Sequence, residues 1–127
     1  MAGPKQVDAL ARSVAEWNAW RQEHPDEQID LSDADLRGLD LTGAELYDAD
    51  LREVDLRGVN LTRANLHGAL LSEAHLFATI FREADLGEAQ LFDADCRRAD
   101  LREADLRGAT LLGTQLYEAD LRGADLS

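Results

Sequence analysis

The sequence predicts an all-β solenoid. Three observations carry that prediction: an unbroken period of five, a pair of inward positions two residues apart in each unit, and a polar remainder bearing glycine. Every fifth residue from Leu31 to Leu126 is apolar, eighteen Leu plus Phe81 and Cys96. Two residues before each centre stands Ala at fourteen positions, Ile29, Leu39, Val54 or Val59 at four, and Thr79 or Thr114 at two. No insertion breaks the register over 99 residues. Five is neither the helical period of about 3.6 nor the strand period of about 2. Positions two apart lie on one face of a strand. The last position of the unit is Gly at 38, 43, 58, 68, 108, 113 and 123. Each unit therefore reads as a very short extended segment followed by a turn. Turning in one sense every five residues builds a solenoid whose coils stack through backbone hydrogen bonds.

Residues 1–28 lie outside the period. Val7, Leu10, Ala11, Val14 and Trp17 form one helical stripe, with Trp20 at its flank. Pro4 suits a first helical turn, and His24-Pro25 closes the helix because a residue before proline avoids helical geometry. Ser13-Val-Ala-Glu16 offers an alternative break through a capping box. The segment is expected to be a helical cap and linker over the first coil, since solenoids need their core ends covered. A partner- or membrane-binding helix is the competing reading, but the only cations here are Lys5, Arg12 and Arg21.

Units such as Ala34-Asp35-Leu36-Arg37-Gly38 and Ala104-Asp105-Leu106-Arg107-Gly108 resemble the A(D/N)LXX unit of pentapeptide repeat proteins. The resemblance covers residues 29–127 and implies a right-handed quadrilateral β-helix, four units per coil, with Leu and the preceding Ala inward. The coils are then 29–48, 49–68, 69–88, 89–108 and 109–127, a rod about 24 Å tall at a strand spacing of about 4.8 Å. Phe81 and Cys96 fall on adjacent sides of adjacent coils, where the small thiol is expected to make room for the ring.

The chain carries 26 acidic and 13 basic side chains among 127 residues, a formal net charge of −13. That balance argues against binding a nucleic-acid backbone or an anionic membrane. Disordered chains are poor in apolar residues, and 45% of this one is hydrophobic. One cysteine excludes an internal disulfide framework and any multi-cysteine zinc site. No apolar run approaches the length of about 20 residues needed to span a bilayer. The opening MAGPKQVDALARS lacks a leader's apolar stretch. The expectation is a soluble, cytoplasmic protein.

Sorting outward residues by side localises the charge. The first side (centres 31, 51, 71, 91, 111) and the fourth (46, 66, 86, 106, 126) each carry net −5. The second is neutral, and the third carries −1. The fourth and first sides adjoin, so one edge holds nearly all the excess. The candidate acidic interaction edge comprises Glu45, Asp48, Asp50, Glu53, Glu73, Asp85, Glu88, Asp93, Asp105 and Asp125. Its charge density approaches that of duplex DNA, one charge per about 1.7 Å. The other two sides are rich in Asp–Arg contacts.

Leu70, Phe77, Ile80, Phe92, Leu112 and Tyr117 occupy positions expected to face solvent and form a candidate apolar patch. At the other end from the helix, Leu111, Leu116, Leu121 and Leu126 would line an open coil with unpaired backbone groups. End-to-end homodimerisation through that coil is expected.

No phosphate loop, dinucleotide fingerprint or paired-histidine metal motif is present. His24, His67 and His75 fall on the N-terminal segment and on two different sides. Cys96 is expected to be buried, and Ser32, Ser72 and Ser127 have no partner histidine. The sequence therefore implies a non-enzymatic interaction module, without cofactor or metal, presenting its acidic edge and apolar patch to a protein, one with a basic groove. The alternative comes from the family resemblance: the quinolone-resistance members act on DNA gyrase as DNA mimics. This chain differs from them in having no projecting loops and fewer coils.

Overall fold

A computed structural model describes residues 4–127, so Met1–Gly3 of the expected helical segment lie outside the described residues. Two helices open the chain, α1 (Pro4–Arg12) and α2 (Val14–Glu23). The expected single stripe is broken at Ser13, whose extended backbone (φ −165°, ψ 122°) caps α2. Its Oγ accepts the Glu16 N–H at 3.1 Å. Only half of the capping box forms, because the Glu16 carboxylate turns to Arg12 at 3.4 Å while the Ser13 N–H donates to Ala9 O. The break also redistributes the stripe: Leu10 and Trp17 are buried, Val7, Val14 and Trp20 half-buried, and Ala11 exposed. α2 ends where the His24 N–H donates to the carbonyls of Trp20 and Arg21.

From Asp30 onward each residue before a centre bridges, in parallel, the residue twenty positions later, from Asp30↔Asp50 to Asp105↔Asp125. Four five-residue units therefore complete one circuit. The ladder is regular: Leu31 N–H donates to Asp50 O (2.8 Å), Asp50 N–H to Ile29 O (2.9 Å), and Asp33 N–H to Arg52 O (2.9 Å). Each corner is a turn closed by a bond such as Ala34 N–H to Leu31 O (3.2 Å). Positive φ at its third residue is the signature of a type II turn. Seven corners use Gly there, but twelve use an L-residue held in the left-handed region, among them Asp33, Glu53 and Ala78. The twelve were not foreseen from the glycines alone.

Where Asp or Asn stands before a centre, it has a local role. Its Oδ1 accepts the backbone N–H two residues on, as in Asp40 to Thr42 (3.1 Å) and Asn65 to His67 (3.1 Å), holding the entry to the turn. Inward Leu and Ala side chains from Leu31 to Leu106 are buried, Phe81 and Cys96 included, save for the half-buried Leu39. Phe81 and Cys96 border the same residual core void of about 10 Å³, which is at the lower limit for one water. Thr79 and Thr114 replace Ala without leaving a buried hydroxyl unpaired, because their Oγ1 atoms donate to Leu56 O (2.7 Å) and Leu91 O (2.6 Å).

The helices lie against the first circuit and meet its backbone edge. Gln6 bonds both Gln28 O (3.0 Å) and the Asp30 N–H (2.8 Å) through its amide. Asn18 does the same with Gly43 O (3.0 Å) and the Glu45 N–H (2.9 Å). Trp17 Nε1 donates to Glu45 O at 2.9 Å. Arg21, expected among the surface cations, is instead buried: it donates to Glu27 O and Tyr47 O, and its guanidinium lies 3.9 Å from the Tyr47 ring centre. At the far end Ala109, Leu111, Leu116 and Leu121 are half-buried and Leu126 is 54% exposed.

Candidate functional site: an acidic corner on the rod

The twenty-residue ladder turns sequence positions into columns. One column of the fourth side stacks Glu45, Asn65, Asp85, Asp105 and Asp125. The corner column of the same side holds Asp48 and Glu88, alternating with Gly68 and Gly108. The corner column of the first side holds Asp33, Glu53, Glu73 and Asp93, and then Gly113. Asp50 lies on the first side, one step before a centre.

The ten predicted edge residues differ sharply in what surrounds them. Asp50 and Asp105 are each gripped by the arginine two residues on. Arg52 donates from Nε to Oδ1 (2.8 Å) and from Nη2 to Oδ2 (2.6 Å) of Asp50. Arg107 repeats the pattern on Asp105 at 2.9 and 2.7 Å. The same fork recurs at Asp35–Arg37, Asp55–Arg57, Asp95–Arg97, Asp100–Arg102 and Asp120–Arg122. These bonds to Arg37, Arg107 and Arg122 hold the carboxyls of Asp35, Asp105 and Asp120 down at about 2. Glu45 accepts from Asn65 Nδ2 (2.9 Å), and Asp125 accepts from Ser127 Oγ (2.6 Å). His67 stands between Asp85 (3.5 Å) and Glu88 (3.4 Å).

What remains is Asp48 on the fourth side and the first-side corner. Among the described residues, Asp33, Glu53, Glu73 and Asp93 have no basic side chain within 4.0 Å. Asp33, Glu53 and Glu73 line a shallow groove of about 380 Å³ with Ser32, Ser72 and Arg52. Glu53 is held above the usual carboxyl range by hydrogen bonding to Asp33, and then by the charges of Asp33 and Glu73. Charge counting by side included Asp33 in the total but not among the edge residues. The signal that finds it is the turn position it shares with Glu53, Glu73 and Asp93.

The candidate apolar patch is unevenly exposed. Leu70, Phe77, Ile80 and Phe92 are half-buried, and only Leu112 (75%) and Tyr117 (73%) are freely exposed. Ile80 bridges Asn60 and Asp100 on the third side, away from Leu70, Phe92 and Leu112. Phe77 lies under the guanidinium groups of Arg97 and Arg98, 5.6 and 5.9 Å from its ring centre, a cation–π arrangement. Among the described residues no helix is long and apolar enough to cross a membrane. Burial pushes the Cys96 thiol up to about 12.

The pentapeptide repeat profile matches this chain in eight copies, over residues 29–68, 60–95, 69–108 and 89–127. No curated protein sequence matches it. Among solved structures, the pentapeptide repeat protein Rfr23 from the cyanobacterium Cyanothece 51142 is 31% identical with a TM-score of 0.63. That match covers 79% of this chain and 64% of Rfr23. A pentapeptide repeat protein from Nostoc PCC 7120, alr5209, is 35% identical over 82% of this chain and 75% of its own, with a TM-score of 0.32. QnrB1, a plasmid-mediated fluoroquinolone resistance protein, is 18% identical over 77% of this chain and 61% of its own, with a TM-score of 0.47. The chain thus spans less than two thirds of Rfr23 and of QnrB1. With its repeats matched from residue 29 to residue 127, the chain belongs to the pentapeptide repeat family, whose fold is the right-handed quadrilateral β-helix.

Proposed function

We propose that this chain is a non-enzymatic protein-interaction module: five coils closed at one end by the α1/α2 cap, presenting a corner of carboxylates without basic partners to a basic protein surface. The observation that carries the reading is the column Asp33, Glu53, Glu73 and Asp93, left without guanidinium partners in a chain that forks seven other Asp–Arg pairs. Like charges one coil apart, about 4.8 Å, repel, and a cationic partner relieves that repulsion. Affinity capture from the native cell tests it, using the wild-type chain and a Glu53→Lys, Glu73→Lys, Asp93→Lys triple variant. Loss of a basic partner with the variant supports the reading. Equal recovery of every partner sinks it.

A second reading, a DNA mimic that occupies the DNA groove of an enzyme such as gyrase, rests on the net charge gathered along the fourth and first sides. Inhibition or protection in a supercoiling assay at micromolar concentration supports it, and no effect there discards it. We further propose that the last coil, with Leu111, Leu116 and Leu121 half-buried and Leu126 exposed, is the surface through which two copies associate. The compartment we propose is the cytoplasm, where a buried free thiol such as Cys96 persists unoxidised; cell fractionation tests this.

A further inference from the structure

We propose that the uncovered half of the first coil's backbone edge, on the second and third sides, docks an extended peptide segment of another protein, which pairs with it as an added strand. This surface lies apart from the acidic corner and does not rest on that reading.

The first coil is the end of the ladder, because the chain before it folds as α1 and α2 instead of a further coil. On the first and fourth sides the helices fill the place of a preceding coil with side chains. Gln6 takes the Asp30 N–H, Asn18 the Glu45 N–H, Trp17 the Glu45 carbonyl and Arg21 the Tyr47 carbonyl. The other two sides have no such substitute. Among the described residues, no group accepts the N–H of Asp35 or Asp40, and none donates to the carbonyls of Asp35, Arg37, Asp40 or Thr42. Exposure follows the same division. The Asp35 side chain is 59% exposed, against 18% for Asp55 in the same column one coil deeper. Arg37 and Asp40 are exposed as well, and Leu39 is half-buried where Val59 beneath it is buried.

The ladder itself indicates the occupant. One coil deeper, the Leu36 N–H donates to the Asp55 carbonyl (3.0 Å), and the Asp55 N–H donates to the Ala34 carbonyl (2.9 Å). On the third side, the Leu41 and Gly43 N–H groups donate to the carbonyls of Asn60 (3.0 Å) and Thr62 (2.9 Å). The open groups of Asp35, Asp40 and Thr42 are the equivalents of these, twenty residues earlier. They require a ligand that carries N–H donors and C=O acceptors at the same spacing. An extended polypeptide backbone has that chemistry, and it adds to sheet edges in this way. An apolar side chain at its inward position would complete the cover of Leu39.

Amide exchange followed by NMR tests the proposal, with a capped peptide of two Ala-Asp-Leu-Arg-Gly units, the sequence of residues 104–108 doubled. In the free chain the Asp35 and Asp40 amides are expected to exchange freely and the Asp55 amide to be protected. Saturating peptide is expected to slow exchange at Asp35 and Asp40 at least about tenfold. The same peptide N-methylated at its two leucines, which removes their N–H groups, is expected to bind at least about tenfold more weakly. Asp35→Pro/Asp40→Pro removes both edge N–H groups at positions where an edge tolerates proline. It is expected to bind more weakly than Asp35→Ala/Asp40→Ala, which loses the same carboxylates but keeps the N–H groups. Should the proline variant not fold, the N-methylated peptide and the exchange rates decide. Protection of both amides in the free chain, equal binding of the N-methylated peptide, or no binding at millimolar concentration overturns the proposal. So does loss of binding in Glu53→Lys/Glu73→Lys/Asp93→Lys, which would put the peptide on the acidic corner through its arginines.

Discussion

The side-chain oxygen of Asn18 accepts the Glu45 N–H at 2.9 Å, a bond that deeper in the rod is made by a backbone carbonyl, as Asn65 N–H to Ala44 O. A helix side chain thereby stands in for a preceding coil. Asn18→Ala strands the Glu45 N–H and the Gly43 carbonyl, both part-buried. The expected loss is about 1–3 kcal/mol, read from the urea midpoint with an unchanged slope.

Acid should weaken the fold in a defined window. Asp35, Asp105 and Asp120 sit at about 2 because Arg37, Arg107 and Arg122 hydrogen-bond their ionised forms, against about 3.9 in an unfolded chain. A lowered carboxyl pKa contributes stability that is complete above the unfolded value and is lost as pH falls through the folded one. The urea midpoint is therefore expected to hold from neutral pH to about 4 and to fall between about 4 and 2. Asp35 is exposed and Asp105 and Asp120 are half-buried, so added salt should shrink the effect, most at Asp35. A midpoint flat to pH about 2 would remove the arginine forks from the stability account.

Glu53 should behave in the opposite sense. Its raised pKa, set by Asp33 first and then Glu73, means that the ionised form weighs on the fold at neutral pH and that protonation relieves it. Glu53→Gln is expected to raise the melting temperature at pH 7, on the order of 1 °C. The gain should vanish below pH about 4, where the wild-type carboxyl is itself neutral.

The corner conformation predicts an uncommon stabilising glycine. Gly58 (φ 71°) and Ala78 (φ 58°) occupy the same corner twenty residues apart. A Cβ at Gly58 would touch nothing within 4 Å, so Gly58→Ala isolates the backbone cost, about 1–2 kcal/mol destabilising. Ala78→Gly should recover part of that cost, up to about 1 kcal/mol, after the extra freedom of an unfolded glycine is subtracted. Thermal melts of the pair decide it: shifts of the same sign would exclude the account.

The core offers little room beside Cys96. The void it shares with Phe81 is about 10 Å³, too small for the added carbons of a larger side chain. Cys96→Leu is expected to cost about 1–3 kcal/mol through overpacking, visible as a lower melting temperature. Unchanged melting would show that Phe81 does not depend on the small thiol.

The interior was legible in the sequence because its signal is periodic. Leu at every fifth position and Ala two before it mark burial directly, and Leu31 through Leu106 are inward. The acidic edge was legible only as a sum. Charge counting cannot distinguish Asp50, forked by Arg52, from Glu53, three residues later and without a basic partner, because the difference lies in side-chain reach. The left-handed corners were visible at the seven glycines and invisible at the twelve L-residues that adopt the same turn. Gln6, Asn18 and Arg21 left no trace, since their partners are backbone atoms of a distant coil and no spacing encodes them.

The twenty-residue ladder and the five-residue core pattern keep different time in one chain. Removing a single unit, such as residues 89–93, would leave every later Leu pointing inward while turning all later outward residues by one side of the rod. Removing twenty residues would restore both. Inside, the protein counts in fives and is indifferent to which unit follows which; outside, it counts in twenties, and the order of units is the address written on its surface. A rod of this kind can have its exterior re-indexed by a quarter turn, like a combination dial, without disturbing the spindle.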